Sequence, residues 1–169
     1  MNKIIGIDAS TKSTGYVVFV ANKIITYGKI SKDFEDDNWR KRIIYMCKEI
    51  IKIIKEYGID TMVVETPVKT IANVNTLEQL FVLNGALMAV ASMLNINFIP
   101  VDVNQWRKKV GILRDIPKDT KNKRAILKER SVNMANELYN LDLVWKSATS
   151  KYNDDDISDA ILLTHSIIT

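Results

Sequence analysis

The chain has 169 residues, of which 47% are hydrophobic and 26% are charged, and its formal net charge is +4 at pH 7. This length and balance are typical of one soluble globular domain over residues 1–169, since two ordinary domains would need a longer chain. The single cysteine excludes an internal disulfide and a cysteine-rich zinc site. With no sign of a hydrophobic leader at the amino terminus, we expect a cytoplasmic protein.

Basic side chains are concentrated in one segment. Residues 104–130 carry ten Lys or Arg and three acids, a net charge of +7 for this segment. A compact basic segment on an otherwise slightly acidic domain is typical of a protein that binds a polyanion. A solvated, lysine-rich helix face would give the same pattern. The candidate polyanion-binding side chains are Arg107, Lys108, Lys109, Arg114, Lys118, Lys121, Lys123 and Arg124.

Three apolar strands open the chain and predict an antiparallel meander. The first strand runs through Ile4, Ile5 and Ile7 into Asp8, and the others cover 15–20 and 23–30. An acidic stretch, 31–38, suits a helix N-terminus. Apolar residues at three- and four-residue spacing then predict an amphipathic helix over 39–57 that ends at Gly58.

A β-branched run over 59–65 predicts a fourth strand, and this strand ends in a carboxylate, Glu65, as the first does. The helix before it implies a right-handed crossover that places this strand parallel to one of the meander. The remaining pattern predicts a helix over 76–95, a strand over 96–101, short and long helices over 104–109 and 122–139, and a terminal helix over 154–168. This order predicts an α/β fold with a mixed five-stranded sheet flanked by helices.

The predicted helix over 76–95 has no charged residue from Gln79 onward. A membrane span is excluded because the apolar core is too short and is interrupted by Asn84 and Gly85. A helix that is apolar on nearly all sides must be covered on nearly all sides. We therefore expect one face to pack on the sheet and the other to form a homodimer, with small residues allowing close approach.

Four carboxylates form the candidate site. Asp8 and Glu65 close two strands, and the carboxyl ends of strands are where open α/β sheets place their sites. Asp156 and Asp159 lie three apart on the last helix and so share one face. Singly, such residues are more often turn formers or helix caps. Gathered together they would repel one another unless divalent cations offset the charge, and an all-oxygen ligand set suits Mg²⁺ or Mn²⁺.

Several stretches together resemble the RuvC-type Holliday junction resolvases, in particular the phage-encoded branch. The matching stretches are IGIDASTKSTGYVVF, the strand-final Glu65, WRKKVGI and DDISDAILLTHS. The most specific features are Asp8 with Thr14-Gly15, and the pair Asp156 and Asp159 close to the C-terminus. The resemblance covers nearly the whole chain.

The resemblance implies a ribonuclease H-like fold, a homodimer, and Mg²⁺-dependent paired nicks in branched DNA, the activity of a crossover junction endodeoxyribonuclease in recombination and repair. It implies a catalytic and metal-binding tetrad of Asp8, Glu65, Asp156 and Asp159, in which Asp8 bridges two ions. The lysine that acts on the scissile phosphate maps to Lys121 or Lys123. For a phage-encoded protein, the expected location is the cytoplasm of the bacterial host.

The chain departs from the bacterial members at two points. They carry Asp-Pro-Gly after the first strand, whereas this chain has Asp8-Ala9-Ser10. They also place an aromatic wedge shortly after the strand-final Glu, and residues 66–70 contain no aromatic side chain. The second departure predicts a looser specificity that covers forks as well as four-way junctions.

Two other functions fit parts of the pattern. A strand-end Asp followed by a Ser/Thr/Gly turn also begins actin-like phosphotransferases, but six glycines leave no room for their further phosphate loops. A branched-DNA-binding protein that has lost cleavage is the second alternative, and the complete set of four carboxylates argues against it. Trp106 and Trp145 could stack on bases, although packing within the fold is the commoner role for such residues.

Overall fold

A computed structural model describes residues 2–67, 73–117 and 120–169. Its elements follow the order βββαβαβααα. The five strands are β1 (Lys3–Asp8), β2 (Ser13–Val20), β3 (Lys23–Ser31), β4 (Thr61–Glu65) and β5 (Asn97–Val101). The five helices are α1 (Trp39–Tyr57), α2 (Val74–Met93), α3 (Val103–Val110), α4 (Lys123–Tyr139) and α5 (Asp155–Ile168).

The strands form one mixed sheet in the order β3-β2-β1-β4-β5. β1, β2 and β3 pair antiparallel, while β4 pairs parallel to β1, and β5 pairs parallel to β4. Ile7 lies opposite Val64 in the β1–β4 pair. The prediction of a meander followed by a parallel crossover strand is therefore confirmed. Asp8 follows Ile7 and Glu65 follows Val64, so the two carboxylates end two adjacent strands.

Hydrophobic side chains alternate between the two faces of the sheet, as the period of a strand requires. Ile5 and Ile7 belong to a core cluster with α1 and α2, whereas Ile4 belongs to a second cluster with α3, α4 and α5. Val63 and Val64 divide in the same way between the two clusters. Both faces of the sheet are thus covered by helices, which explains why the central strands are apolar on both sides.

Helix α5 packs directly against β1 and β2 because two glycines leave room for it. A Cβ atom built on Gly15 would lie 2.0 Å from the carbonyl oxygen of Asp156. A Cβ built on Gly6 would lie 1.6 Å from Oγ1 of Thr164. Real Cβ atoms do not approach other atoms so closely, so both positions require glycine. The N-terminal end of α5 is thereby held against the sheet beside Asp8.

The helix predictions hold with small shifts at the ends. The predicted 76–95 helix runs from Val74 to Met93, with Asn73 accepting a hydrogen bond from the amide of Thr76. The acidic stretch before α1 does not enter its first turn, because Asn38 is the N-cap. Its Oδ1 atom accepts hydrogen bonds from the amides of Arg40 and Lys41.

One side of α2 is left uncovered. Leu83, Leu87, Val90 and Ala91 are buried, while Phe81, Val82, Met88 and Met93 are exposed. The helix is long and apolar enough to cross a membrane by length and composition, with a mean hydropathy of 1.3. One such helix is weak evidence for a span, and here one side of α2 belongs to the core between α1 and the sheet.

Candidate active site

Two strand ends bring the first pair of carboxylates together. Asp8 and Glu65 lie side by side because β1 and β4 are parallel neighbours in the sheet. The amide of Asn84 on α2 donates to the main-chain oxygen of Glu65 at 3.1 Å. The indole Nε1–H of Trp106 donates to Oε2 of Glu65 at 2.7 Å. Glu65 is therefore held on both its main chain and its side chain.

The acids at the start of α5 divide into two groups. Asp154 is bound by Lys29, with 3.2 Å between Nζ and Oδ1, and accepts a hydrogen bond from the amide of Val144. Asp155 forms an ion pair with Lys128. Asp156 and Asp159 instead line the groove that contains Asp8. The side chain of Asp154 makes no capping hydrogen bond at the start of α5, so these acids are not simply helix caps.

The turn between β1 and β2 forms one wall of the site. Arg42 is buried on α1, and its Nε–H donates to the carbonyl oxygen of Thr11 at 2.9 Å. The hydroxyl of Thr14 donates to the carbonyl oxygen of Ser10 at 2.6 Å. These contacts fix the turn, whose residues 9–12 line the groove.

All four predicted carboxylates line a single groove of about 760 Å³. The strand ends, the β1–β2 turn, α2, α3, α4 and α5 each contribute to its walls. Its charged side chains are Asp8, Lys12, Glu65, Arg107, Lys123, Arg124, Lys128, Asp156 and Asp159. The groove thus combines a carboxylate cluster with cations.

Burial is the main reason why the pKa values of all four carboxyl groups are raised. Burial, followed by the charges of Glu65, Asp159 and Asp156, raises the pKa of Asp8 well above its usual range. Burial also raises the pKa of Glu65 to about 7, although the Trp106 hydrogen bond and Arg107 oppose this. The pKa values of Asp156 and Asp159 are raised mainly by burial as well. Because burial is the largest cause of each shift, the ionised carboxylates lack the solvation that water would supply, and a bound cation would favour their deprotonated form.

Arg107 lies inside this cluster, and its Nη2 atom is 3.2 Å from Oδ2 of Asp159. The hydroxyl of Ser131 donates to the other oxygen of Asp159. As the side chains stand, no three acidic, imidazole or thiol groups within 2–67, 73–117 and 120–169 are grouped closely enough to hold one ion. The chemistry of the donors nevertheless fits a hard divalent cation, because four carboxylates with raised pKa values converge on one groove without a histidine or cysteine among them.

The predicted polyanion-binding residues separate into two sets. Arg107, Lys123 and Arg124 line the groove. Lys109 instead donates to the main-chain oxygen of Ser166 at 2.6 Å. Lys108, Arg114 and Lys121 also lie outside the groove lining. Lys118 falls outside the residues that the structure describes.

The choice between the two candidate lysines now favours one of them. Lys123, the first residue of α4, lines the same groove as Asp8, whereas Lys121 is exposed in the turn before the helix. Two cations of the groove, Lys12 and Lys128, were not among the predicted site residues. The position of Lys12 in the turn directly after Asp8 is the signal that could have identified it.

Comparisons with known proteins agree with this arrangement at the level of fold. No family model matches the sequence, and no curated protein is similar enough in sequence to count as a relative. Among solved structures, Thermus thermophilus RuvC in complex with a Holliday junction matches with a TM-score of 0.72 at 10% identity, covering 97% of this chain and 91% of that one. The yeast mitochondrial Holliday junction resolvase matches with a TM-score of 0.60 at 14% identity, covering 98% of this chain and 77% of that one. A fowlpox virus resolvase bound to junction DNA matches with a TM-score of 0.54 at 14% identity, covering 98% and 96%.

The fold is that of RuvC and other Holliday junction resolvases. The sequence-based prediction of this fold, with three antiparallel strands followed by two parallel ones, is thus confirmed. Since the matches cover almost the whole chain, the RuvC-like fold accounts for the sheet and the flanking helices together.

The raised carboxylate pKa values predict that the metal-free protein loses stability as the pH rises. Between pH 5 and pH 7 the folded state holds protons on these carboxyl groups, whereas the unfolded state, whose pKa values are near 4, does not. Unfolding therefore releases protons, and a higher pH favours the unfolded state. The free energy of unfolding in EDTA should fall by about 1–3 kcal/mol between pH 5 and pH 7. The part of the fall that Glu65 contributes should level off above its pKa of about 7. Urea titrations at a series of pH values measure it.

Asp8→Asn should make this decline shallower, because it removes one of the buried carboxyl groups whose pKa is raised in the folded state. Asp142→Asn, at an exposed position on the loop after α4, is the matched control and should leave the decline unchanged. Excess Mg²⁺ should also reduce the decline, since a cation that binds the deprotonated groove stabilises the folded state. A wild-type stability that rises from pH 5 to pH 7 in EDTA would contradict the electrostatic picture.

Proposed function

We propose that this protein is a metal-dependent, structure-specific endonuclease that cleaves Holliday junctions and other branched DNA, such as forks. The observation that carries the proposal is the convergence of Asp8, Glu65, Asp156 and Asp159 on one groove of a RuvC-like fold. The neighbours with this fold include resolvases solved with Holliday junction DNA. The cations in the same groove support contact with a phosphate backbone.

Asp8, Glu65, Asp156 and Asp159 are the residues that would hold Mg²⁺, for which Mn²⁺ could substitute. A pair of such ions supplies an activated water and stabilises the leaving oxygen of a phosphodiester. Asp8 is close enough to the other three carboxylates for their charges to affect its pKa, so it would hold the metal together with them. No nucleophile from the chain itself is required.

Arg107, Lys123 and Arg124 would orient the DNA backbone in the groove. Contacts to phosphate position a protein on DNA without reading its sequence. Arg107 pairs with Asp159, so its guanidinium already stands where the carboxylates meet. Residues 66–70 contain no aromatic side chain that could act as a wedge at a junction. This composition favours recognition of branched DNA in general over strict selection of four-way junctions.

Cleavage of defined substrates tests the function directly. The wild-type chain should nick a synthetic four-way junction and a fork, but not linear duplex, in Mg²⁺ or Mn²⁺ and not in EDTA. Asp8→Asn should lower the cleavage rate by about 1,000-fold, equivalent to about 4 kcal/mol, because it would remove one of the four carboxylates that would hold the metal. Binding in an electrophoretic shift assay should persist.

Asp142→Asn is the control for this assay and should cleave like the wild type. Binding of branched DNA without cleavage in either metal would instead identify a catalytically silent junction-binding protein. Cleavage that persists in EDTA would contradict the metal requirement.

The two candidate lysines, Lys121 in the turn before α4 and Lys123 at its start, should differ in effect. Lys123→Ala should lower the cleavage rate by about 10–100-fold because Lys123 lines the groove, in line with the value of a charge that acts at the transition state. Lys121→Ala should weaken DNA binding only slightly. The slope of the logarithm of DNA affinity against the logarithm of salt concentration should become shallower by about one phosphate contact at most. Single-turnover rates at saturating enzyme separate the two effects. A larger loss of rate in Lys121→Ala would reverse the assignment.

We further propose that the protein forms a homodimer through α2. Phe81, Val82, Met88 and Met93 are exposed and apolar. Phe81 and Met88 are seven residues apart and Val82 and Met93 are eleven apart, so the four form two neighbouring rows on one side of the helix. A Cβ atom built on Gly85 meets no atom within 4 Å, so a small residue stands in the middle of this stripe. Two copies packed through this stripe would bury it and would supply two sites, which suits the two strands that must be cut to resolve a junction.

Charge placed on the α2 stripe should separate the subunits. The double substitution Val82→Asp and Met88→Asp should convert a dimer into a monomer in sedimentation equilibrium at micromolar concentration, because burying carboxylates in an apolar interface is costly. Ile44→Asp is the control, since Ile44 is a similarly exposed apolar residue on α1. A wild-type protein that is already monomeric at this concentration would refute the dimer.

A further inference from the structure

We propose that Trp106 is a positioning residue for the cation site, and that its indole N–H fixes one oxygen of Glu65 so that the other oxygen is presented to a divalent cation. This inference rests on the proposed metal-dependent function. It concerns a residue that the sequence pattern suggested only for base stacking or packing. Its basis is a hydrogen bond between a buried indole and a carboxylate at the end of β4.

The geometry of this hydrogen bond is well defined. Nε1 of Trp106 lies 2.7 Å from Oε2 of Glu65. An indole nitrogen is a donor only, so this bond uses its full hydrogen-bonding capacity. Trp106 is 1% exposed and packs in the core cluster of α3, α4 and α5. It is therefore shielded from base stacking on DNA, and its N–H is held by the packing of the whole ring.

The helix that carries Trp106 is itself firmly placed. α3 follows β5 after one residue, Asp102, whose carboxylate caps the helix by accepting from the amides of Asn104 and Gln105. The amide of Thr66, next to Glu65, donates to the carbonyl oxygen of Val101 at 2.9 Å. The donor and the acceptor of the indole bond thus lie on neighbouring, hydrogen-bonded strand ends. A ring held in this way can restrict the carboxylate to one orientation.

Two successive residues of α3 reach two different carboxylates of the groove. Trp106 holds Glu65, and Arg107 pairs with Asp159 on α5. The guanidinium of Arg107 lies 5.1 Å from the ring of Trp106. α3 therefore connects the strand-end part of the site to the part on α5. A residue that only filled space in the core would not need its polar atom aimed at the groove.

A carboxylate restrained by a hydrogen bond binds a cation more tightly than a free one. Partners that orient metal ligands typically contribute 10–100-fold to affinity. In Trp106→Phe an aromatic ring is retained and the donor is lost, so the Mn²⁺ dissociation constant should rise by about 10-fold or more. Trp145→Phe is the matched control, because Trp145 packs against the same core cluster. Its affinity should equal that of the wild type.

Mn²⁺ binding is measured on the full chain without DNA, by electron paramagnetic resonance of the free ion and by calorimetry. Thermal unfolding of each variant is recorded in parallel. A folded Trp106→Phe protein with wild-type Mn²⁺ affinity would overturn the proposal. A wild-type chain that binds neither Mn²⁺ nor Mg²⁺ would refute both the proposed function and the role of Trp106. Normal Mn²⁺ binding by both the wild type and Trp106→Phe would refute the role of Trp106 alone.

The emission of Trp106 supplies a second test that does not require its replacement. In the background Trp39→Phe/Trp145→Phe, Trp106 is the remaining tryptophan. Saturating Mg²⁺ should shift or change the intensity of its emission, because the cation alters the charge of the carboxylate that the indole contacts. Adding Glu65→Gln, which keeps an oxygen acceptor but removes the charge, should abolish the response. An unchanged emission at a Mg²⁺ concentration that calorimetry shows to be saturating would also overturn the proposal.

Discussion

The close contact of α5 with β1 and β2 is the constraint on which the candidate site depends. Asp156 and Asp159 can meet Asp8 only if the helix that carries them lies directly on the strands, without a layer of side chains between. Gly15 permits this approach at the carbonyl of Asp156, and Gly6 permits it about two helical turns further along, at Thr164. Two residues without side chains therefore bring together carboxylates that are separated by most of the chain.

Charge compensation explains why only some acids of the Asp-rich start of α5 face the groove. Asp154 and Asp155 have lysine partners of their own, Lys29 and Lys128. Asp156 and Asp159 share the groove with Asp8 and Glu65, where burial raises the pKa of all four carboxyl groups although Arg107 opposes the rise at Asp8, Glu65 and Asp159. Ion pairs with lysine thus mark Asp154 and Asp155 as structural carboxylates, whereas Asp156 and Asp159 face the groove.

Sequence patterns predicted those parts of the protein that depend on periodicity and chain order. Strand-final Asp8 and Glu65 could be paired because a crossover helix makes their strands parallel, and the structure confirms that pairing. The roles of Trp106 and Lys123 depend on how short elements are oriented in space. A helix of eight residues such as α3 has too few turns for its pattern to show which side chain enters the groove. The same limit left Lys121 and Lys123 equivalent until α4 was placed.

The cations and the carboxylates of the groove act in opposite directions on a DNA backbone. Lys123, Arg124 and Arg107 attract a phosphate backbone, whereas the four carboxylates beside them repel it. A divalent cation held among the carboxylates would offset this repulsion, so the residues that would hold the metal would also help to place a phosphodiester beside Asp8. In the proposed reaction the metal would then contribute to placing DNA in this groove as well as to cutting it.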